Sequence, residues 1–173
     1  MSNSVWTDGH DPVTSERYRQ KSFFMEIYLS LGSNLGDRRH NLEEALYRLD
    51  LAFGRHYDAV SDFIYTEPWG FESSDWFLNA AVRYCLDVPR GTDVKYFAHN
   101  VLRKCKLIEV QMGRTGGPEY DSGGNRVYHS RIIDIDILLL DDVHINDDDL
   151  KIPHPLMFER DFVMIPLRQI LNV

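Results

Sequence analysis

Two aspartates two positions apart, Asp134 and Asp136, sit inside the run Arg131-Ile132-Ile133-Asp134-Ile135-Asp136-Ile137-Leu138-Leu139, which otherwise reads as a buried strand. Side chains alternate along a strand, so both carboxylates point to one face and Ile133, Ile135 and Ile137 to the other. Two anionic groups side by side on a core strand are costly unless positive charge lies between them. A hard divalent cation supplies that charge: carboxylate oxygens suit Mg2+, and Mg2+ usually brings phosphate with it. Arg131, just upstream, is a ready partner for a phosphate oxygen. The plainer alternative is a strand edge with two solvated aspartates, and the depletion of Asp in strands counts against it.

The elements that must position this strand follow from periodicity. Residues 23–31 read as a strand with Phe24, Ile27, Leu29 and Leu31 among its apolar positions. Gly32-Ser33-Asn34-Leu35-Gly36 reads as a turn, and Asp37 or Asn34 can cap the helix that follows. That helix carries Leu42, Ala45, Leu46, Leu49 and Phe53 at helical spacing and ends near Gly54. A second strand is expected over 59–65 and a third over 77–88, with a loop broken by Pro68 and Gly70 between them. Thr92 is placed to cap a second helix, whose stripe is Val94, Phe97, Val101, Cys105, Ile108 and Met112 and which closes at Gly113. A glycine-rich loop spans 114–130, a length usually reserved for function or disorder. The aspartate strand covers 131–140, an acidic turn with a short edge strand covers 141–149, and a last amphipathic helix covers 162–171. The order β-α-β-β-α-β with a C-terminal helical segment predicts an α+β, ferredoxin-like antiparallel sheet with helices on one face. The open face and the long loop beside it would then form the site.

At 173 residues the chain suits one domain with a sizeable core, expected over 23–173, preceded by a polar, aperiodic extension over 1–22 that is expected to be flexible. Hydrophobic residues make up 43% and charged residues 27%, the profile of an ordinary globular protein. A formal charge of −8 argues against a broad nucleic-acid-binding face, although Arg114, Arg126, Arg131, Lys151 and Arg160 leave room for a local basic pocket. Cys85 and Cys105 lie in apolar-patterned segments without metal spacing and read as free core thiols. No apolar run reaches membrane-spanning length and no signal-peptide region is present, so a cytoplasmic protein without a membrane partner is expected, with a monomer as the default.

Five segments together resemble the 6-hydroxymethyl-7,8-dihydropterin pyrophosphokinase family of folate biosynthesis. They are Tyr28-Leu29-Ser30-Leu31-Gly32-Ser33-Asn34-Leu35-Gly36-Asp37; Thr66-Glu67-Pro68-Trp69-Gly70 with Phe77-Leu78-Asn79-Ala80-Ala81-Val82; Glu109-Val110-Gln111-Met112-Gly113-Arg114; Ser130-Arg131-Ile132-Ile133-Asp134-Ile135-Asp136-Ile137-Leu138; and Ile152-Pro153-His154-Pro155 with Arg160, Phe162 and Ile165-Pro166-Leu167. They occur in the family's order over roughly residues 25–170. The resemblance implies transfer of the terminal pyrophosphoryl group of ATP to the hydroxymethyl group of a reduced pterin, with AMP leaving. Asp134 and Asp136 would hold two Mg2+ ions that neutralise the phosphates. Such a transfer needs positioning and charge more than covalent chemistry, consistent with the absence of a nucleophile motif.

The same resemblance distributes the other roles. Arg114 and Arg131 flank the glycine-rich loop and reach ATP phosphates when that loop closes as a lid. Glu109, His154 and Arg160 belong to the nucleotide side, Leu102 and Ile137 form an apolar wall for adenine, and Lys151 compensates for Asp149, which stands where some members carry a basic residue. Asn79 reads the pterin's amide edge, Phe77 and Phe162 sandwich its ring, and Thr66, Trp69 and Gly70 line its pocket. Tyr128 takes the stacking position where the family often has tryptophan, and Glu67 stands where proline is frequent. Two other classes compete. A different two-metal phosphoryl-transfer enzyme or nuclease would not need the 66–79 segment. A silent ferredoxin-like binding domain would be expected to have lost its acidic and basic site positions, yet Asp134, Asp136, Arg131 and Asn79 are all present.

Overall fold

β1 (Ser22–Ser33) runs through the middle of an antiparallel sheet, flanked by β4 (Phe77–Pro89) on one side and β7 (Asp134–Leu140) on the other. The computed structural model describes residues 22–67, 76–114, 119–120, 126–127 and 130–171, the two two-residue ranges by backbone only. β2 (Ala59–Val60) and β3 (Ile64–Thr66) both pair with β4, which gives the order β2-β4-β1-β7. Three α-helices occur among the described residues. The result is a mixed α/β chain whose antiparallel sheet is consistent with a ferredoxin-like α+β arrangement.

Helix boundaries follow local chemistry. α1 (Arg38–Phe53) starts at Asp37, whose carboxylate accepts the His40 N–H at 3.1 Å, and stops at Gly54, whose φ of 70° an L side chain would resist. α2 (Val94–Gln111) starts at Asp93, not at the expected Thr92. The Thr92 N–H closes the preceding turn onto the Pro89 carbonyl, leaving Asp93 to accept the Tyr96 N–H at 2.7 Å. The expected second strand is two pieces. Between them Ser61 bonds the β4 backbone with both its N–H and its hydroxyl, so a side chain interrupts the ladder. β1 is longer than expected and takes in Gly32 and Ser33; in the stretch read as a turn, the positive φ belongs to Gly36. β5 (Glu119–Tyr120) and β6 (Arg126–Val127) pair within the segment read as one loop, and β7 begins at Asp134 rather than Arg131.

The sheet is covered on both faces. α1 and α2 pack on one, where Leu29, Leu31, Leu78, Ala80, Val82, Ile135 and Ile137 join Leu42, Leu49, Val101 and Cys105 in the main core. On the other face a short 3-10 turn (Met157–Glu159) and α3 (Asp161–Ile170) bury Met157, Val163, Leu167 and Ile170 against Tyr28, Ala81 and Leu138. α1 and α2 thus share one face as expected, and the additional C-terminal segment covers part of the face expected to be open: its strongly apolar stripe needs a partner, and the outward residues Tyr28, Ala81 and Leu138 supply it. β8 (Ile145–Asn146) and β9 (Lys151–Ile152) form a small separate hairpin, strapped to α2 by Lys95 and His99 on Asp147. Among the described residues no helix is long and apolar enough to cross a membrane.

Candidate active site

What α3 leaves uncovered on its face of the sheet is a cavity of about 320 Å³. Strand register builds its floor. Gly32 of β1 pairs with Asn79 of β4 on one side and Asp134 of β7 on the other; two residues back, Ser30 lies beside Asp136. One face therefore carries, in adjacent rows, an amide, a bare backbone and two carboxylates. A larger residue would crowd the amide: a Cβ on Gly32 would lie 2.9 Å from Oδ1 of Asn79. Asn79 is 3% exposed, and its Nδ2 donates to the Thr66 hydroxyl at 2.8 Å.

The cavity brings together Thr66, Phe77, Asn79, Arg131, Asp134, Asp136, His154, Arg160 and Phe162 of the expected residues, and adds Ser30, Gly32, Glu67, Leu138, Pro155, Leu156 and Val163. The Arg160 guanidinium stands 5.7 Å from the centre of the Phe162 ring. His154 is fixed at both ends, its N–H donating to the Leu138 carbonyl at 2.9 Å and its Nδ1 accepting the Leu156 N–H at 3.3 Å. Leu102 and Ile137 do not face this cavity. Ile137 is 3% exposed in the helix-side core and Leu102 packs against that core, because Ile137 has the opposite strand parity to the aspartates. Lys151 is exposed on β9 and does not line the cavity. Trp69, Gly70 and Tyr128 lie outside the described residues, as does the Arg126 side chain.

Cations surround the aspartates. Arg114 and Arg131 each donate to one oxygen of Asp134, both at 2.6 Å. Burial alone would raise the Asp134 carboxyl; Arg131, Lys106 and Arg114 outweigh it and hold the group below its ordinary value. Behind them Glu109, with a side chain 2% exposed, acts as a hub. Its Oε1 accepts Lys106 at 2.8 Å and the Ile135 N–H at 2.7 Å, and its Oε2 accepts Arg114 at 2.6 Å. Burial, the largest influence, raises the Glu109 carboxyl, with Lys106 pulling against it. Burial would lower the Lys106 ammonium, but Asp136, Glu109 and Asp134 raise it on balance. Lys106 went unread in the sequence because a lone helix lysine looks like a solvated face; its signal was the i,i+3 spacing to Glu109 on the stripe that meets β7. Asn34, read as a possible cap, instead clamps the strand entering β7: its Oδ1 accepts the Arg131 N–H at 2.7 Å and its Nδ2 donates to Ser130 at 3.1 Å.

Carboxylates ringed by cations share this cleft with a buried amide and two phenyl rings, the equipment of an enzyme that handles polyphosphate beside a flat hydrogen-bonding ring. The comparisons agree. The family model for 7,8-dihydro-6-hydroxymethylpterin-pyrophosphokinase matches residues 28–172. A 2-amino-4-hydroxy-6-hydroxymethyldihydropteridine pyrophosphokinase of Porphyromonas gingivalis is 43% identical over 146 residues, covering 83% of this chain and 89% of the relative. One from Methylorubrum extorquens is 36% identical over 143 residues, covering 83% and 80%. The mitochondrial folate synthesis bifunctional protein of Pisum sativum is 38% identical over 147 residues, 85% of this chain but 25% of that longer protein. The chain belongs to the 7,8-dihydro-6-hydroxymethylpterin-pyrophosphokinase family, whose reaction is pyrophosphate transfer to a hydroxymethyldihydropterin in folate biosynthesis.

Proposed function

We propose that this cavity binds ATP and 6-hydroxymethyl-7,8-dihydropterin side by side and passes the pyrophosphoryl group from one to the other. The observation that carries this reading is the register of Asn79, Gly32 and Asp134 across three strands, which sets a ring-reading amide and a phosphate-handling carboxylate on one floor. The residues fit Mg2+: two carboxylates of hard oxygen, already balanced by positive charge, are the donor set that Mg2+ shares with nucleotide phosphates. Asp134 and Asp136 would hold two such ions, which when bound supply charge neutralisation at the transferring phosphates.

The remaining work falls to side chains of the chain. Phe77 and Phe162 flank the pterin ring and Asn79, backed by Thr66, hydrogen-bonds its amide edge. This aims the hydroxymethyl oxygen at the β-phosphorus. A new O–P bond forms there as the bond from that phosphorus to the oxygen bridging the α-phosphate breaks; AMP departs with its electron pair, and the hydroxyl proton passes to water. Arg131, Arg114, Arg160 and His154 meet phosphate oxygens, Arg131 and Arg114 turning to the nucleotide from their carboxylate partner Asp134. Trp69, Gly70 and Tyr128 complete the pterin side. In this reading the sheet is the ferredoxin-like α+β fold, residues 23–173 are one catalytic domain behind the 1–22 extension, and the enzyme acts as a cytoplasmic monomer.

Incubation with ATP, Mg2+ and 6-hydroxymethyl-7,8-dihydropterin, each omitted in turn, tests the reaction. AMP formed only with all three is the expected result. ADP in its place would mark an ordinary kinase, and pterin binding without any nucleotide product would mark a silent binding domain.

A further inference from the structure

Glu109 does more than pair with one neighbour. Each of its oxygens holds a different cation, and each cation faces a different aspartate: Oε2 holds Arg114 on Asp134, and Oε1 holds Lys106 toward Asp136. The Lys106 ammonium has three oxygens around it, from Glu109 at 2.8 Å, the Ile135 carbonyl at 3.2 Å and Asp136 at 3.7 Å. The ammonium donates hydrogen bonds to the first two and pairs with Asp136 by charge alone. The Lys106 side chain is 43% exposed, so its ammonium stands at the solvent edge of this cluster and is not enclosed by it.

We infer that Lys106 is a tethered stand-in for a divalent cation, a positioning residue that makes metal binding at Asp136 depend on bound triphosphate. This rests on the reading of Asp134 and Asp136 as metal ligands. A divalent ion arriving alone must share Asp136 with a fixed positive charge, and like charges a few ångströms apart repel. An ion arriving with a triphosphate brings anionic oxygens that give the ammonium a new partner, so the two ligands bind cooperatively. Glu109 sets the tether: buried and fixed by the Ile135 N–H and Arg114, it keeps the lysine within reach of both positions.

The test is a titration of the full-length protein with Mn2+, followed by electron paramagnetic resonance of the free ion, with and without a non-hydrolysable ATP analogue. Lys106→Met, which keeps the stem and drops the charge, should bind Mn2+ about tenfold more tightly than wild type without nucleotide, and the enhancement by the analogue should shrink to match. Lys106→Gln should behave in the same way if Lys106→Met fails to fold, and Lys106→Arg should restore the wild-type coupling. Unchanged nucleotide-free Mn2+ affinity in the folded neutral variants would overturn the stand-in role while leaving the aspartate site intact. Absence of Mn2+ binding in wild type even with the analogue would overturn the metal reading itself, and this inference with it.

Discussion

On the helix side of the sheet, β1, β4 and β7 present Leu29, Leu31, Ala80, Val82, Ile135 and Ile137; on the other side the same strands, one residue out of phase, present Ser30, Gly32, Asn79, Asp134 and Asp136. Every one of the first group is at most 3% exposed. The difference teaches how little chain separates stability from chemistry: a step of one residue along β7 moves from a core that tolerates only apolar atoms to a floor that carries two charges. The two faces also fail differently. A cavity on the helix side weakens the whole fold. A change on the floor moves one group relative to a bound ligand.

That contrast can be broken at β7. Asp134→Ala or Asp136→Ala should lower turnover by about 10³-fold, with a cooperative thermal transition retained; near-normal turnover in either would sink the metal assignment. Ile135→Ala, between them but facing the other way, should do the reverse. Denaturant titration should show a loss of about 3 kcal/mol, with turnover per folded molecule within a few-fold of wild type.

The pH dependence of stability sharpens the comparison. Asp134 is held below its ordinary value, so its contribution is present above the unfolded-chain value near 4 and is lost as pH falls through the lower folded value. Wild type should exceed Asp134→Asn by about 2 kcal/mol near pH 7, and urea midpoints should show the gap closing below about pH 4. A gap that is constant with pH would mean that the two arginine contacts contribute no charge-dependent stability. The smallest effect is expected from Gly32→Ala. Its methyl group would meet Asn79 rather than a carboxylate. Steady-state kinetics should show the pterin KM raised by about tenfold, the scale of one spoiled hydrogen bond, with the ATP KM little changed.

The pattern Ile-Asp-Ile-Asp-Ile was legible because period two and charge are both local properties, and the apolar stripes of α1 and α2 were legible for the same reason. What could not be read locally was decided by partners far away in sequence. Ser61 breaks a strand by bonding β4, and Asn34 gives up a capping role because residues 130–131 arrive beside it. Thr92 lost the cap to its neighbour through a turn closed on Pro89. Ile137, expected with Leu102 to form an apolar wall for adenine, has the parity of the core and its side chain lies there. The covering of the second face by α3 needed knowledge of where Tyr28, Ala81 and Leu138 point once the sheet forms.

Arg114 and Arg131 stand on opposite sides of the intervening 115–130 stretch, yet both close on the single carboxylate of Asp134, the first from the end of α2 and the second pinned by Asn34. Asp134 is therefore a clasp between the two arginines. Its two oxygens join the two ends of that stretch through one side chain, while Glu109 holds Arg114 and Asn34 holds the Arg131 N–H independently of it. Asp136, its twin in the sequence, has no such hold on Arg114 or Arg131 through any described hydrogen bond, and the two aspartates are not interchangeable.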